Sequence, residues 1–276
     1  MRTPKRKRIP KPRHPSGLAF YAELKKAINY ARTLVEERIV RHLEGFVRRA
    51  GFADDYAITD ASPGGRINKT VKAIEAAWDR RYSLGRLEAL ASQNVRAASA
   101  RQKEDLNRQR VAAVGVEFSS IADRGLSKAV AHHVAETVQL IKSLPVDYLQ
   151  DVEKALLYGI RTGTRHEELA KDIDEVGGKA TRRAALIARD QTLKAYGAIN
   201  KLRQGNLGVE EYVWRTSGDE RVRELHAERD GERFSWDEPA GDPDDPADGA
   251  YPGDAINCRC WAEPIFPETE PEDDEG

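Results

Sequence analysis

Apolar residues at three- and four-residue steps run through most of residues 18–200, and a chain patterned in this way has few options besides packed helices. Between residues 18 and 50 the series is Tyr21, Leu24, Ile28, Ala31, Val35, Ile39, Leu43 and Phe46, which predicts one long amphipathic helix. "GFADDYAITDASPGGRIN" breaks it with Gly, Pro and Asp, and Ser62 before Pro63 suits a helix start. Ile67, Val71, Ile74, Trp78 and Tyr82 renew the helical step. The next stretch, "SQNVRAASARQKEDLNRQR", has too few apolar residues to be buried deeply, so a protruding or partner-facing helix is expected there. "LSKAVAHHVAETVQLIKSL" puts Val130, Val134, Val138 and Ile141 on one face, and Pro145 is expected to end that helix.

The next helix, "PVDYLQDVEKALLYGIRTG", is expected to close at Gly163. Thr164, three residues before Glu167, has capping-box spacing for "TRHEELAKDIDEVGG". Gly177 and Gly178 then separate this segment from a last long helix carrying Ala185, Ile187, Leu193, Tyr196 and Ile199. His132 and His133, adjacent on a helix, point about 100° apart and cannot chelate one ion as a pair. They read as ordinary surface or groove residues.

Past residue 206 the period changes. "VEEYVWRT" alternates Val209, Tyr212 and Trp214 as a strand does, "GERFSW" reads as a second strand after the Asp230-Gly231 turn, and "CRCWAEPIF" as a third. In a strand, Cys258 and Cys260 share a face because side chains repeat every two residues. The fold class is therefore mainly α with a small C-terminal α+β domain and an elongated helical N-terminal region.

Charged residues make up 33% of the chain and apolar ones 39%, a balance that suits helices with solvated faces better than a deep enzyme core. No apolar run is long enough to span a membrane. The start, "MRTPKRKRIPKPRHPSG", is basic without the apolar segment of a secretory signal, and two cysteines fit synthesis in a reducing cytoplasm. The charge is unevenly placed. Residues 237–276 hold 14 Asp plus Glu and one basic residue, Arg259; of the chain's 45 basic and 46 acidic side chains, residues 1–236 keep 44 and 32, a net of +12. A basic body with an acidic end points to a polyanion or an acidic protein surface as partner, or to helix faces that merely carry unbalanced solvated charge.

Three segments, "RRAALIARDQTLKAYGAIN", "YVWRTSGDERVRELHAERDGERF" and "PGDAINCRCWAEPIF", resemble in order and spacing the C-terminal domain of the phage Mu F-like minor head, or head morphogenesis, proteins. "LPVDYLQDVEKALLYGIRTGTRHEELAKDIDEVGG" resembles the family's helical lead-in, and the likeness extends over about residues 140–266. One departure stands out: Arg189 is followed by Asp190 and Gln191 where the family has Thr and Glu, which moves the acid one position early. The resemblance implies a non-enzymatic minor capsid protein of a tailed phage, made in the host cytoplasm and carried in the head interior near the portal. Its implied partners are the portal protein, other capsid or scaffolding proteins, and DNA through non-specific electrostatics. The chain then divides into a basic mobile arm (1–17), a helical portal- or head-associated region (18–180), the Mu F-like α+β domain (181–266) and an acidic tail (267–276).

The chemistry-bearing residues gather in that domain: Asp219, Arg221, Arg223, His226, Asp230, Cys258, Arg259 and Cys260. Two cysteines and a histidine offer three soft or borderline ligands to zinc, with Asp219 or Asp230 as a fourth, although the spacing is not that of a common zinc module. The preferred reading is a packed core with the cysteines as small hydrophobes and no cofactor, with zinc as the alternative; a strained Cys-x-Cys disulfide and a cysteine nucleophile with His226 as base stand behind both. A nuclease, metal-independent or zinc-dependent, would use His226 as base and Arg221 or Arg223 on the scissile phosphate.

Overall fold

The computed structural model describes residues 9–48, 63–117 and 123–267. It is 68% helical with one small antiparallel sheet, the mainly α fold with a small α+β element that the periodicities predict. The chain folds as two compact units: one made of residues 18–91 and 135–188, the other of residues 1–17, 92–134 and 189–276.

The first unit is built on apolar helix faces. Helix α1 (Leu18–Arg38) leads through a 3-10 turn (Val40–His42) to α2 (Leu43–Arg48); α3 (Pro63–Arg81) and the start of α4 (Leu84–Val114) follow. The later part of α5 (Leu126–Thr162) and the first part of α6 (His166–Asn206) complete it. Leu24, Ile28, Val35, Ile67, Ile74, Trp78 and Ile141 are buried, as the spacing predicts, and Leu87, Val152, Leu156, Leu169 and Ile173 join them. The Trp78 indole N–H donates to the carbonyl of Ala27 at 3.0 Å, so the largest ring in this core leaves no unpaired donor.

Several boundaries differ from the sequence expectation. The predicted helix over 18–50 is interrupted at Ile39, where two consecutive β-branched residues, Ile39 and Val40, disfavour a regular turn; its last two residues lie outside the described residues, as does Ser62. Pro145 does not end α5. It sits buried in mid-helix between Leu144 and Tyr148, and apolar contacts on both sides outweigh the missing hydrogen bond. Gly163 (φ +67) does close α5, with the amide of Thr164 bonded back to Gly159 at 2.9 Å. Helix α6 starts at His166, and the Thr164 hydroxyl meets that of Thr162 at 2.8 Å instead of capping it. Nor do Gly177 and Gly178 divide α6, which runs unbroken for 41 residues. A Cβ at Gly177 would come within 2.7 Å of Arg32 Nε, so this glycine makes room for the guanidinium that pairs with Asp174 at 2.7 Å.

The second unit joins three helical segments to the sheet. The expectation of a protruding α4 fails here: Asn94, Ser99, Gln102, Asp105 and Gln109 are buried. All but Gln109 meet polar side chains of α6. Asn94 Oδ1 accepts from the Thr192 hydroxyl at 2.9 Å, Gln102 Nε2 donates to Asn200 at 2.8 Å, and the Tyr196 hydroxyl donates to Asp105 at 2.8 Å. Arg203, 2% exposed, donates to the Ser99 carbonyl, the Ser99 hydroxyl, Gln102 and Asp123 at 2.6–3.0 Å. Gln204 continues the seam to the sheet, donating to the Ala262 carbonyl at 3.1 Å and accepting from the Trp236 indole at 3.2 Å. Val130 and Val134 pack against Val95, Ala98, Ala195, Tyr196 and Ile199. His132 is exposed and His133 turned inward.

The sheet has the order β2-β1-β3, with β1 (Glu211–Arg215) central and antiparallel to both β2 (Arg233–Ser235) and β3 (Trp261–Pro264). Residues 9–17 are not a free arm. They have no regular structure, yet the Arg13 amide donates to Asp105 at 3.0 Å, Gln109 donates to the Pro10 carbonyl at 3.2 Å, and His14 meets the Tyr196 ring at 5.3 Å. Residues 1–8, nearly half of the expected arm, and 268–276, all but one residue of the expected acidic tail, lie outside the described residues. Among the described residues no helix is long and apolar enough to cross a membrane.

Candidate functional site: a His-Cys-Cys cluster beside the sheet

Between β1 and β2 the chain makes one short helix, α7 (Glu224–Glu228), which carries His226 inward. Between β2 and β3 it follows a long irregular path, and its end, Asn257 to Cys260, returns beneath α7. Both cysteines precede β3 instead of lying in it, so the ladder is not what aligns them. Alternation persists nonetheless: Cys258 and Cys260 are buried, while Arg259 turns away to form a bidentate pair with Asp219 at 2.5 and 2.7 Å.

The turn that delivers them is specified by α6. Asn257 has left-handed backbone (φ 56), which asparagine tolerates better than most residues. Its amide donates to Asp190 Oδ1 at 2.7 Å, and its side-chain oxygen accepts from Arg189 Nε at 2.6 Å. The acid that the sequence carries one position early thus anchors the cysteine-bearing segment.

His226 is 2% exposed. Its Nε2 lies 3.0 Å from the Asp248 carbonyl oxygen, which can only accept, so Nε2 carries the proton. Nδ1 consequently faces two sulfurs, Cys258 Sγ at 3.5 Å and Cys260 Sγ at 3.4 Å. The Trp214 ring packs edge-on at 5.3 Å. Asp248 is fixed in turn by a two-pronged Arg229 and by the amide of Asp242 at 2.9 Å.

These contacts divide the protons unevenly. Hydrogen bonding from the Cys260 thiol, helped by His226, holds Cys258 below the ordinary thiol range although burial opposes it. The same bond to Cys258, together with burial, pushes Cys260 well above the ordinary thiol range. Burial pulls His226 down, but its bond to Cys258 and the charge there leave it raised. Asp219 lies below the usual carboxylate range because of Arg259, and Asp248 because of Arg229.

The structure brings together His226, Cys258 and Cys260, whose donor atoms all lie within 4.8 Å of one another. Neither proposed fourth ligand joins them. Asp219 is taken by Arg259, and Asp230 accepts from the Thr216 amide at 2.7 Å, the role of a turn-closing side chain. Arg223 donates to the Ile256 carbonyl at 2.8 Å, whereas Arg221 is exposed beside Glu220. The nuclease arrangement is therefore not assembled, since its base is buried and its phosphate-binding arginines point elsewhere. The cysteines are free thiols. Asp190, Arg229 and Asp248 are the positioning residues that motif reasoning does not single out for these tasks.

Residues 150–263, the stretch that contains this cluster, match the family model of phage Mu protein F like protein. Over those residues the chain is similar to that family. An "Uncharacterized protein" of Haemophilus influenzae is 39% identical over 136 residues, an alignment that takes in 49% of this chain and 29% of the relative. The chain thus spans less than a third of that relative's length. No solved structure matches the chain. The matched region includes the last third of α5, all of α6 and the sheet through Glu263, and so it contains every residue of the cluster.

Proposed function

We propose that this protein is a non-enzymatic minor head protein of a tailed bacteriophage, acting in head morphogenesis. The observation that carries the proposal is the phage Mu protein F like match over residues 150–263. Within the head it lies near the portal, binding the portal protein and other capsid or scaffolding proteins, while its basic body meets packaged DNA. Two features support that location. Residues 1–236 carry a net charge of +12, and attraction to phosphate needs no sequence-reading surface. The cluster of soft side chains is buried and held by backbone groups, as suits a structural element better than a hydrolytic site.

Capture of the cognate portal protein by the purified full chain tests the assembly role, and failure to capture it removes the portal from the proposal. For DNA, affinity is expected to fall steeply with salt for any sequence, to weaken on deletion of residues 1–14 and to strengthen on truncation after Phe266. Affinity independent of salt contradicts the electrostatic reading. Cleavage of labelled DNA or RNA, with or without chelator, contradicts the non-enzymatic one.

A further inference from the structure

We infer that His226 Nδ1, Cys258 Sγ and Cys260 Sγ form a binding site for one zinc(II) ion. The inference rests on local geometry and stands apart from the role proposed in the phage head. Zinc bonds to sulfur at about 2.3 Å and to imidazole nitrogen at about 2.0–2.1 Å, which for tetrahedral angles places ligand nitrogen and sulfur about 3.6 Å apart. The observed separations are 3.5 and 3.4 Å. Two edges of the ligand tetrahedron thus already have the right length, and the two sulfurs lie within 4.8 Å of each other. Two thiolates and one imidazole form a soft-to-borderline set that favours zinc over magnesium or calcium.

A second observation concerns the imidazole itself. A zinc-bound histidine donates its other ring N–H to a carbonyl or carboxylate, which fixes the tautomer and aims the free lone pair. His226 does this through Nε2 to the Asp248 carbonyl, and Asp248 is locked by Arg229 and the Asp242 amide. Asp190 and Arg189 likewise hold Asn257, next to the first cysteine. Among the described residues the set comprises these three ligands. The ion would join α7 to the segment entering β3, across a long loop that has little regular structure of its own.

The test uses the full chain, purified without a histidine tag under reducing conditions. Elemental analysis is expected to give about one zinc per chain. Cobalt(II), added alone to the chelator-stripped protein, is expected to give tetrahedral visible bands with thiolate-to-metal charge transfer in the near ultraviolet. Cys258→Ser, Cys260→Ser and His226→Ala should each lower metal affinity by more than about tenfold, whereas Asp219→Asn leaves the stoichiometry unchanged. The wild-type cobalt spectrum reports thiolate ligation directly, so the test survives a variant that does not fold. A wild-type chain that carries no zinc and gives no such spectrum overturns the inference, as does a spectrum that Cys258→Ser leaves intact.

Discussion

Helix α4 starts with Leu87 and Ala91 buried among apolar neighbours and continues with Asn94, Ser99, Gln102, Asp105 and Gln109 turned inward, so a single helix samples two ways of filling an interior. In the unit of residues 18–91 and 135–188 the packing is apolar, and its energy follows buried area with little demand on direction. In the other unit the seam between α4 and α6 carries a polar network in which each group depends on specific partners at fixed distances, such as Gln102 with Asn200 and Arg203 with Ser99, Gln102 and Asp123. Apolar packing tolerates a change of shape better than a matched polar seam tolerates the loss of a partner. The polar seam therefore selects a single pairing of its helices, and the apolar one supplies cohesion.

The sharpest way to break the contrast is Arg203→Ala. It strips four hydrogen-bond acceptors of their donor in a buried place, and the expected loss is about 3–5 kcal/mol in chemical denaturation. A loss below about 1 kcal/mol would mean that water enters the seam freely. Next comes Gln204→Leu, nearly isosteric but unable to serve Trp236 and Ala262, with an expected cost of about 1–3 kcal/mol. Its counterpart Ile74→Val in the apolar unit should cost about 0.5–1.5 kcal/mol. Equal costs for those two would erase the distinction between the units.

The smallest effect concerns pH. Burial lowers the His14 imidazole below 6.5, with Lys11 acting in the same direction and Asp105, Cys258 and the Arg259 backbone against it. A lowered folded value means that the unfolded chain takes up its proton first as pH falls, so this residue's contribution is lost progressively below about 6.5. His226, raised, has the opposite sign. The stability difference between wild type and His14→Gln isolates the first effect: it should shift against the wild type between pH 7 and pH 5, and a difference constant over that range would falsify the assignment.

Legibility in the sequence follows the same division. Ile67, Val71, Ile74 and Trp78 declare their helix face because apolar burial repeats with the turn of the helix. The seam does not, since whether Gln102 is solvated or paired with Asn200 depends on a residue 98 positions away. Pro145 and Gly177 mislead for a related reason: local propensity marks a break, and tertiary packing overrides it. His226, Cys258 and Cys260 could be found because the chain has two cysteines and six histidines. The Asp248 carbonyl could not, as every residue has one. Assigning Asp219 as a ligand failed because Arg259, lying between the two cysteines, claims it.

The sheet order β2-β1-β3 also has a consequence in time. Strand β1 meets β2 after a short connection, but its other neighbour, β3, begins roughly 45 residues after β1 ends. At about 5–20 residues per second on the ribosome, β1 waits roughly 2–9 seconds with one row of backbone amides and carbonyls unclaimed. During that interval nascent chains of this protein on neighbouring ribosomes can pair edge to edge, and the arrival of Trp261 to Pro264 ends the exposure.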